Sequence, residues 1–192
     1  MEKEKIIPLI TGIIFMVFGI SAILNDIILK NNSIILWLCY PSLIILGAGF
    51  IAKSRFLIKS QLNILTIPLL IWTTDFIFFI ITKNSFLGIS DYFFQQGMLT
   101  SKIITSQHLF TIPLALFSIK FVPQKTKKSW IFSLIFISIM FILSRIIGSS
   151  ENNLNFSYNF LNLNIPFYPL FWFLAISCLI FLTNFILKKL KF

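Results

Sequence analysis

Six stretches of the chain are apolar on every side. At about 1.5 Å per residue, each is long enough to cross roughly 30 Å of hydrocarbon as a helix, or nearly so. They cover 6–24, 33–52, 62–81, 103–121, 130–147 and 166–187. None alternates with a period of two, as a membrane strand must. Lipid offers a spanning backbone no hydrogen-bond partner outside itself, so helices are predicted. The expected fold is an all-α, polytopic bundle of six transmembrane helices, one domain over 1–192. The first stretch exceeds a signal-peptide core and lacks an A-x-A-like site after it, so it is expected to stay. No inverted internal repeat is visible.

The polar positions between the stretches orient the bundle. Lys3 and Lys5, then Lys53, Arg55 and Lys59, then Lys120, Lys125, Lys127 and Lys128, then Lys188, Lys189 and Lys191 fall on one side. Lys30, Lys83, Lys102 and Arg145 fall on the other. Basic residues gather in cytoplasmic loops, so both termini are expected in the cytoplasm, with a multi-pass topology in a prokaryotic plasma membrane. Two termini on one side require an even number of crossings, which agrees with six.

Composition changes the picture only by exclusion. The 192 residues are 57% hydrophobic and 11% charged, with mean hydropathy +0.93. A soluble domain is about one quarter charged, so a soluble enzyme, a nucleic-acid-binding module and a disordered chain are all excluded. The formal charge of +10 belongs to the loops and calls for no nucleic acid. The partner that follows is the lipid bilayer; no oligomeric partner is legible.

Candidate chemistry lies in the few polar residues within the stretches, where an ionisable group costs about 3 kcal/mol and so needs a reason. Cys39, Asp75, His108, Arg145, Tyr168 and Trp172 all fall within roughly 10 Å of the outer boundary. The inner half is mostly Ile, Leu and Phe, with Asn63, Cys178, Thr183 and Asn184 as exceptions. The expectation is a polar cavity opening outward. His108 is the only histidine, and Thr105 and Thr111 share its helix face. It reads either as a general base oriented by Asp75, or as a hydrogen-bonded histidine fixing helix packing. Asp75 reads equally as that orienting carboxylate or as a structural group, either an ion-pair partner of Arg145 or a protonated carboxyl bonded to Trp or Thr. Cys39 reads as a nucleophile or as a small apolar filler, and Cys178 as packing. Trp37, Trp72, Thr105, Thr111, Arg145, Asn155 and Tyr158 are the candidate substrate-binding residues. The 83–102 connection, with its run Asp91-Tyr92-Phe93-Phe94, reads as a re-entrant or interfacial lid. The 5–6 connection reads as a cap contributing Asn155 and Tyr158. One histidine and two cysteines at these spacings make no metal site, and no cofactor motif is present.

Three segments carry a resemblance. Leu36-Trp37-Leu38-Cys39 resembles the Leu-His-Leu-Cys segment of a family of bacterial integral membrane proteins with six or seven spans. That family is related to a eukaryotic transmembrane acyltransferase with a Cys/His pair. His108 followed by Pro113 is the second mark. Asn155-Phe156-Ser157-Tyr158-Asn159-Phe160 followed by Pro166 is similar to the family's Asn-Tyr-x-Tyr-Leu segment and later proline. A more distant likeness is to the androgen-induced-gene family, which hydrolyses esters of hydroxy fatty acids with a Thr/His pair. The chain departs from the pattern at Trp37, Tyr40 and Phe156. The resemblance implies a lipid ester hydrolase or acyltransferase acting on an acyl lipid, with Cys39 as nucleophile, His108 as base and Asp75 as orienter. Two other readings stand beside it. One is the substrate-binding membrane subunit of a small-molecule transporter. The other is a structural membrane protein without catalysis.

Overall fold

The computed structural model describes residues 2–30, 35–95, 98–123, 126–160, 163, 165–190 and 192. Among these the chain is helical, without strands. The helices are α1 (Lys3–Ile28), α2 (Cys39–Ile51), α3 (Arg55–Thr82), α4 (Asp91–Gln95), α5 (Leu99–Thr105), α6 (Gln107–Ser118), α7 (Ser129–Ile147) and α8 (Tyr168–Lys189). Short 3-10 turns cover Ile119–Phe121 and Leu154–Phe156. Five helical segments are long and apolar enough to cross a membrane: α1, α3, the α5–α6 segment through Phe121, α7 and α8. The chain is a multi-pass membrane protein.

The stretch expected at 33–52 differs. Its helix has 13 residues, about 20 Å at the α-helical rise, and starts only at Cys39. Residues 33 and 34 lie outside the described residues, and 35–38 form a turn. Pro41 gives the reason. It has no N–H to donate to Trp37, so it is tolerated only in the first helical turn. Instead Tyr40 N bonds to Trp37 O at 2.9 Å and Ser42 N to Leu38 O at 3.2 Å.

Asn155 completes that turn from a distance. Its Oδ1 accepts from Leu38 N at 2.7 Å, and its Nδ2 donates to Leu36 O at 2.8 Å and to Ser144 Oγ at 2.8 Å. Trp172 Nε1 donates to Asn155 O at 3.1 Å. One loop residue thus ties the 35–38 turn to α7 and α8. Asn155 has φ 54°, a left-handed conformation that asparagine adopts more readily than most residues.

α1 and α2 meet backbone to backbone. A Cβ on Gly12 would lie 2.7 Å from Gly47 O, and one on Gly47 would lie 2.7 Å from Gly12 O. Small residues are what allow helices to approach this closely in lipid. The buried stripe of α1 is Pro8, Thr11, Gly12, Phe15, Gly19, Ala22 and Asp26. The opposite face, including Ile6, Leu9, Ile13, Val17 and Ile20, is exposed to the bilayer.

Three of the four basic clusters meet at one end. Arg55 Nη1 donates to Val122 O at 2.9 Å, and Lys59 Nζ donates to Phe192 O at 3.0 Å. Lys120 Nζ stands 5.8 Å from the Phe192 ring centre. α3 begins at Arg55, seven residues before the expected 62. Ser54 caps it by accepting from Leu57 N, and Lys59 reaches along the bundle to the chain end instead of marking a loop.

The half nearer this end is more polar than the sequence reading held. Ser60, Gln61, Asn63, Ser129 and Ser133 are all buried. Ser133 Oγ donates to Ser60 O at 2.8 Å, and Asn63 Nδ2 reaches Ser133 Oγ at 3.4 Å. Thr11 Oγ1 and Ser118 Oγ bond at 2.7 Å between α1 and α6. In lipid such groups serve as interhelical ties. Cys178 is exposed on α8 and not packed in the core.

Asn155→Ala leaves Leu38 N and Leu36 O without their side-chain partners. Unpaired buried groups cost about 1–3 kcal/mol each, so the variant is expected to lose at least about 2 kcal/mol. Reversible unfolding in mixed micelles measures it; a loss below about 0.5 kcal/mol would show that the tie carries little.

Candidate functional site

The α5–α6 segment is interrupted at Ser106, between two helical runs. Leu109 N reaches back three residues to Ser106 O at 3.0 Å. The Thr105 carbonyl accepts from His108 Nδ1 at 2.7 Å. A carbonyl only accepts, so the proton sits on Nδ1 and Nε2 carries the lone pair. Gln107 Nε2 lies 3.4 Å from His108 Nε2, while Gln107 Oε1 accepts from Thr111 Oγ1 at 2.6 Å. The imidazole stacks on Trp72 with centroids 4.7 Å apart and planes 28° apart. Tautomer and ring orientation are both fixed by neighbours.

Asp75 is used elsewhere. Its Oδ1 accepts from Leu87 N at 2.6 Å, and its Oδ2 accepts from Ser90 N at 2.8 Å and Ser90 Oγ at 2.7 Å. These bonds fold the connection after α3 back onto the helix, with Gly88 at φ 74° making the turn between the two amides. Among the described residues Asp75 has no hydrogen bond to His108 and no ion pair with Arg145. The orienting role expected of Asp75 falls to the Thr105 carbonyl.

The connection then packs by its rings. Phe93 lies 5.0 Å and Phe94 5.3 Å from Phe76 between centroids, and Phe94 lies 4.0 Å from Phe79. Tyr92 reaches Trp72 at 6.5 Å. Desolvation raises the Tyr92 phenol above its ordinary range, so it stays a neutral hydrogen-bonding group.

The remaining predicted residues form a separate group. Tyr158 hydroxyl donates to Arg145 O at 2.9 Å and to Gly148 O at 3.1 Å, closing the C-terminal end of α7. Trp37 meets Phe156 edge to face at 6.4 Å. Tyr168 hydroxyl donates to Phe156 O at 2.6 Å. Cys39 sits at the start of α2 near Asp26, Tyr40 and Tyr92, and makes no hydrogen bond to His108. The structure therefore brings together His108, Trp72, Thr105 and, through Gln107, Thr111. It does not bring Cys39, His108 and Asp75 into one hydrogen-bonded set. Where an outward polar cavity was expected, the polar groups largely pair with one another.

The concave feature at His108 is apolar. A groove of about 330 Å³ between α3 and α6 is lined by Leu69, Leu70, Thr73, His108, Leu109, Ile112, Pro113 and Leu116. Leu70 and Leu109 are exposed on two spanning helices, so its mouth opens to hydrocarbon. Among the described residues Thr73 has no hydrogen-bond partner, and it was not read as a site residue from sequence. Its neighbour Thr74 instead bonds back to Leu70 O at 2.8 Å. Pro113 has no N–H for the Leu109 carbonyl, which adds an acceptor at the groove wall. Asp26 was also missed. It is 7% exposed, and its Oδ2 has no partner. The sequence marks it only by continuing the Gly12, Phe15, Gly19, Ala22 stripe.

No cluster of three or more His, Cys, Asp or Glu side chains able to hold a metal occurs among the described residues.

Asp75→Asn replaces one accepting oxygen by a donor facing an amide. It is expected to free the 87–90 backbone, raising amide hydrogen exchange there by about tenfold or more while α6 exchange is unchanged. Equal exchange in both proteins would remove Asp75 as the anchor. No family model, no curated protein and no solved structure matches the chain.

Proposed function

We propose that this is a bilayer-resident lipid-handling protein that takes a single acyl chain of a lipid into the α3/α6 groove. The observation that carries the reading is a groove open to hydrocarbon, apolar along its length, with His108 and Thr73 as its polar side chains. At about 330 Å³ it lies at the lower edge of ligand-site volumes, which suits one chain. The lining holds no acidic residue, lysine or arginine, so the group beside His108 is neutral, as an ester is.

One observation favours a catalytic version, ester hydrolysis or acyl transfer. His108 keeps Nε2 as its unprotonated nitrogen, touched by the Gln107 amide only at 3.4 Å, and among the described residues Thr73 makes no hydrogen bond in the same lining. In that version Nε2 takes the Thr73 proton as Oγ1 attacks the ester carbonyl. The proton then passes to the leaving alkoxide, and water or an acceptor alcohol removes the acyl group. This moves the nucleophile from Cys39 to Thr73.

A photoactivatable fatty-acyl lipid, irradiated in intact membranes, tests the binding. Crosslinks are expected to concentrate on residues 69–73 and 108–116, and Leu109→Trp is expected to reduce them several-fold by filling the groove. Labelling spread evenly over the lipid-facing helices would end the proposal. Release of fatty acid from a fluorogenic medium-chain ester tests the chemistry. His108→Ala and Thr73→Val are expected to lower it by about 100-fold or more, and Cys39→Ala to leave it within about twofold.

The topology proposed is both termini in the cytoplasm, supported by the gathering of three of the basic clusters at one end. On a background lacking Cys39 and Cys178, a cysteine placed at Lys127 is expected to resist an impermeant maleimide added outside, and one at Glu151 to react. The reverse pattern would invert the bundle.

A further inference from the structure

Arg145 stands in the last turn of α7 and is half-buried. Its guanidinium carbon lies 4.7 Å from the Tyr158 ring centre and 5.6 Å from that of Phe141. Both rings are themselves fixed. The Tyr158 hydroxyl is bound to two α7 carbonyls, and Phe141 packs on Trp172 with centroids 4.4 Å apart. The cation is thus held in place by faces that take none of its hydrogen bonds.

Among the described residues its donors are nearly unused. A guanidinium has five N–H groups, and Arg145 spends Nη1 on Ser157 O at 3.4 Å, the long limit of a hydrogen bond. No carboxylate pairs with it among the described residues. Glu151, in the same connection, is exposed and pairs with nothing among the described residues. Beside it, Ser157 is 0% exposed and its Oγ has no partner. A clamped, under-bonded guanidinium next to an unsatisfied buried hydroxyl is a donor set awaiting an acceptor.

The surroundings identify the acceptor. Ile142, Ile146 and Ile147 are 56%, 72% and 53% exposed on the same helix, facing hydrocarbon. The guanidinium therefore stands where the acyl region gives way to headgroups. A planar fork of N–H groups matches phosphate oxygens two at a time. We propose that Arg145, set between Phe141 and Tyr158, binds the phosphate of a bilayer phospholipid whose chains lie along the α7 isoleucines. This site is separate from the α3/α6 groove and does not depend on what that groove holds.

Native mass spectrometry of the detergent-purified protein tests it with three probes: phosphatidylglycerol, diacylglycerol with the same chains, and sodium phosphate. The wild type is expected to retain phosphatidylglycerol over diacylglycerol by about tenfold or more, and Arg145→Gln to bring the two to the same level. Phe141→Leu keeps the charge and removes one wall. It is expected to lower phosphatidylglycerol retention by about threefold or more, which keeps the test open should Arg145→Gln fail to fold. Equal retention of both lipids by the wild type overturns the proposal, as does full retention by Arg145→Gln or by Phe141→Leu. Release of the phospholipid by millimolar phosphate shows a free-anion site and overturns the lipid assignment.

Discussion

The hydrogen bonds of Asn155 hold the rest of the bundle in register. A backbone amide buried among lipid-facing helices has no water to turn to, and the turn before α2 exposes such groups inside the protein. Asn155 supplies an acceptor to Leu38 and a donor to Leu36, then accepts the Trp172 indole with its own carbonyl. α2 is far in sequence from α7 and α8, and this one residue joins it to both. Its left-handed backbone aims the side chain inward, so the loop conformation and the helix packing are the same fact.

The helical class and the apolar spans were legible because each is a sum over many residues. α7 is expected at 130–147 and found at Ser129–Ile147. Pairings were less legible. Asp75 stands out in sequence as an intramembrane carboxylate, but its partners are main-chain amides twelve and fifteen residues on, and every residue carries an amide. Thr105 is expected on the His108 face as a side chain, yet its carbonyl is what binds the imidazole. Cys39 drew attention by composition and neighbours by type, while Thr73 lay unremarked among threonines. Groove membership depends on which wall each helix presents, and a helix apolar on all sides does not announce that.

The same imidazole links the fold to the proposed chemistry. By holding the Thr105 carbonyl at the break between α5 and α6, His108 repairs a backbone discontinuity that lipid would otherwise penalise. That bond also commits its proton to Nδ1. A structural need therefore sets the protonation pattern that a base requires, without any carboxylate beside it. Trp72 completes the arrangement by fixing the ring plane, and the Phe76–Phe94 packing holds the connection that Asp75 anchors.

The glycine contact between α1 and α2 bears on how the chain enters the membrane. A helix of about 20 Å is too short to partition into a bilayer on its own account, and most of its surface faces protein. Gly12 and Gly47 allow α1 to receive it at backbone distance. α1 is long enough for lipid to accept by itself, whereas α2 is accepted only as part of a hairpin with it. A bulky side chain at either glycine would act during synthesis, stranding α2 at the surface before the later helices exist to shelter it.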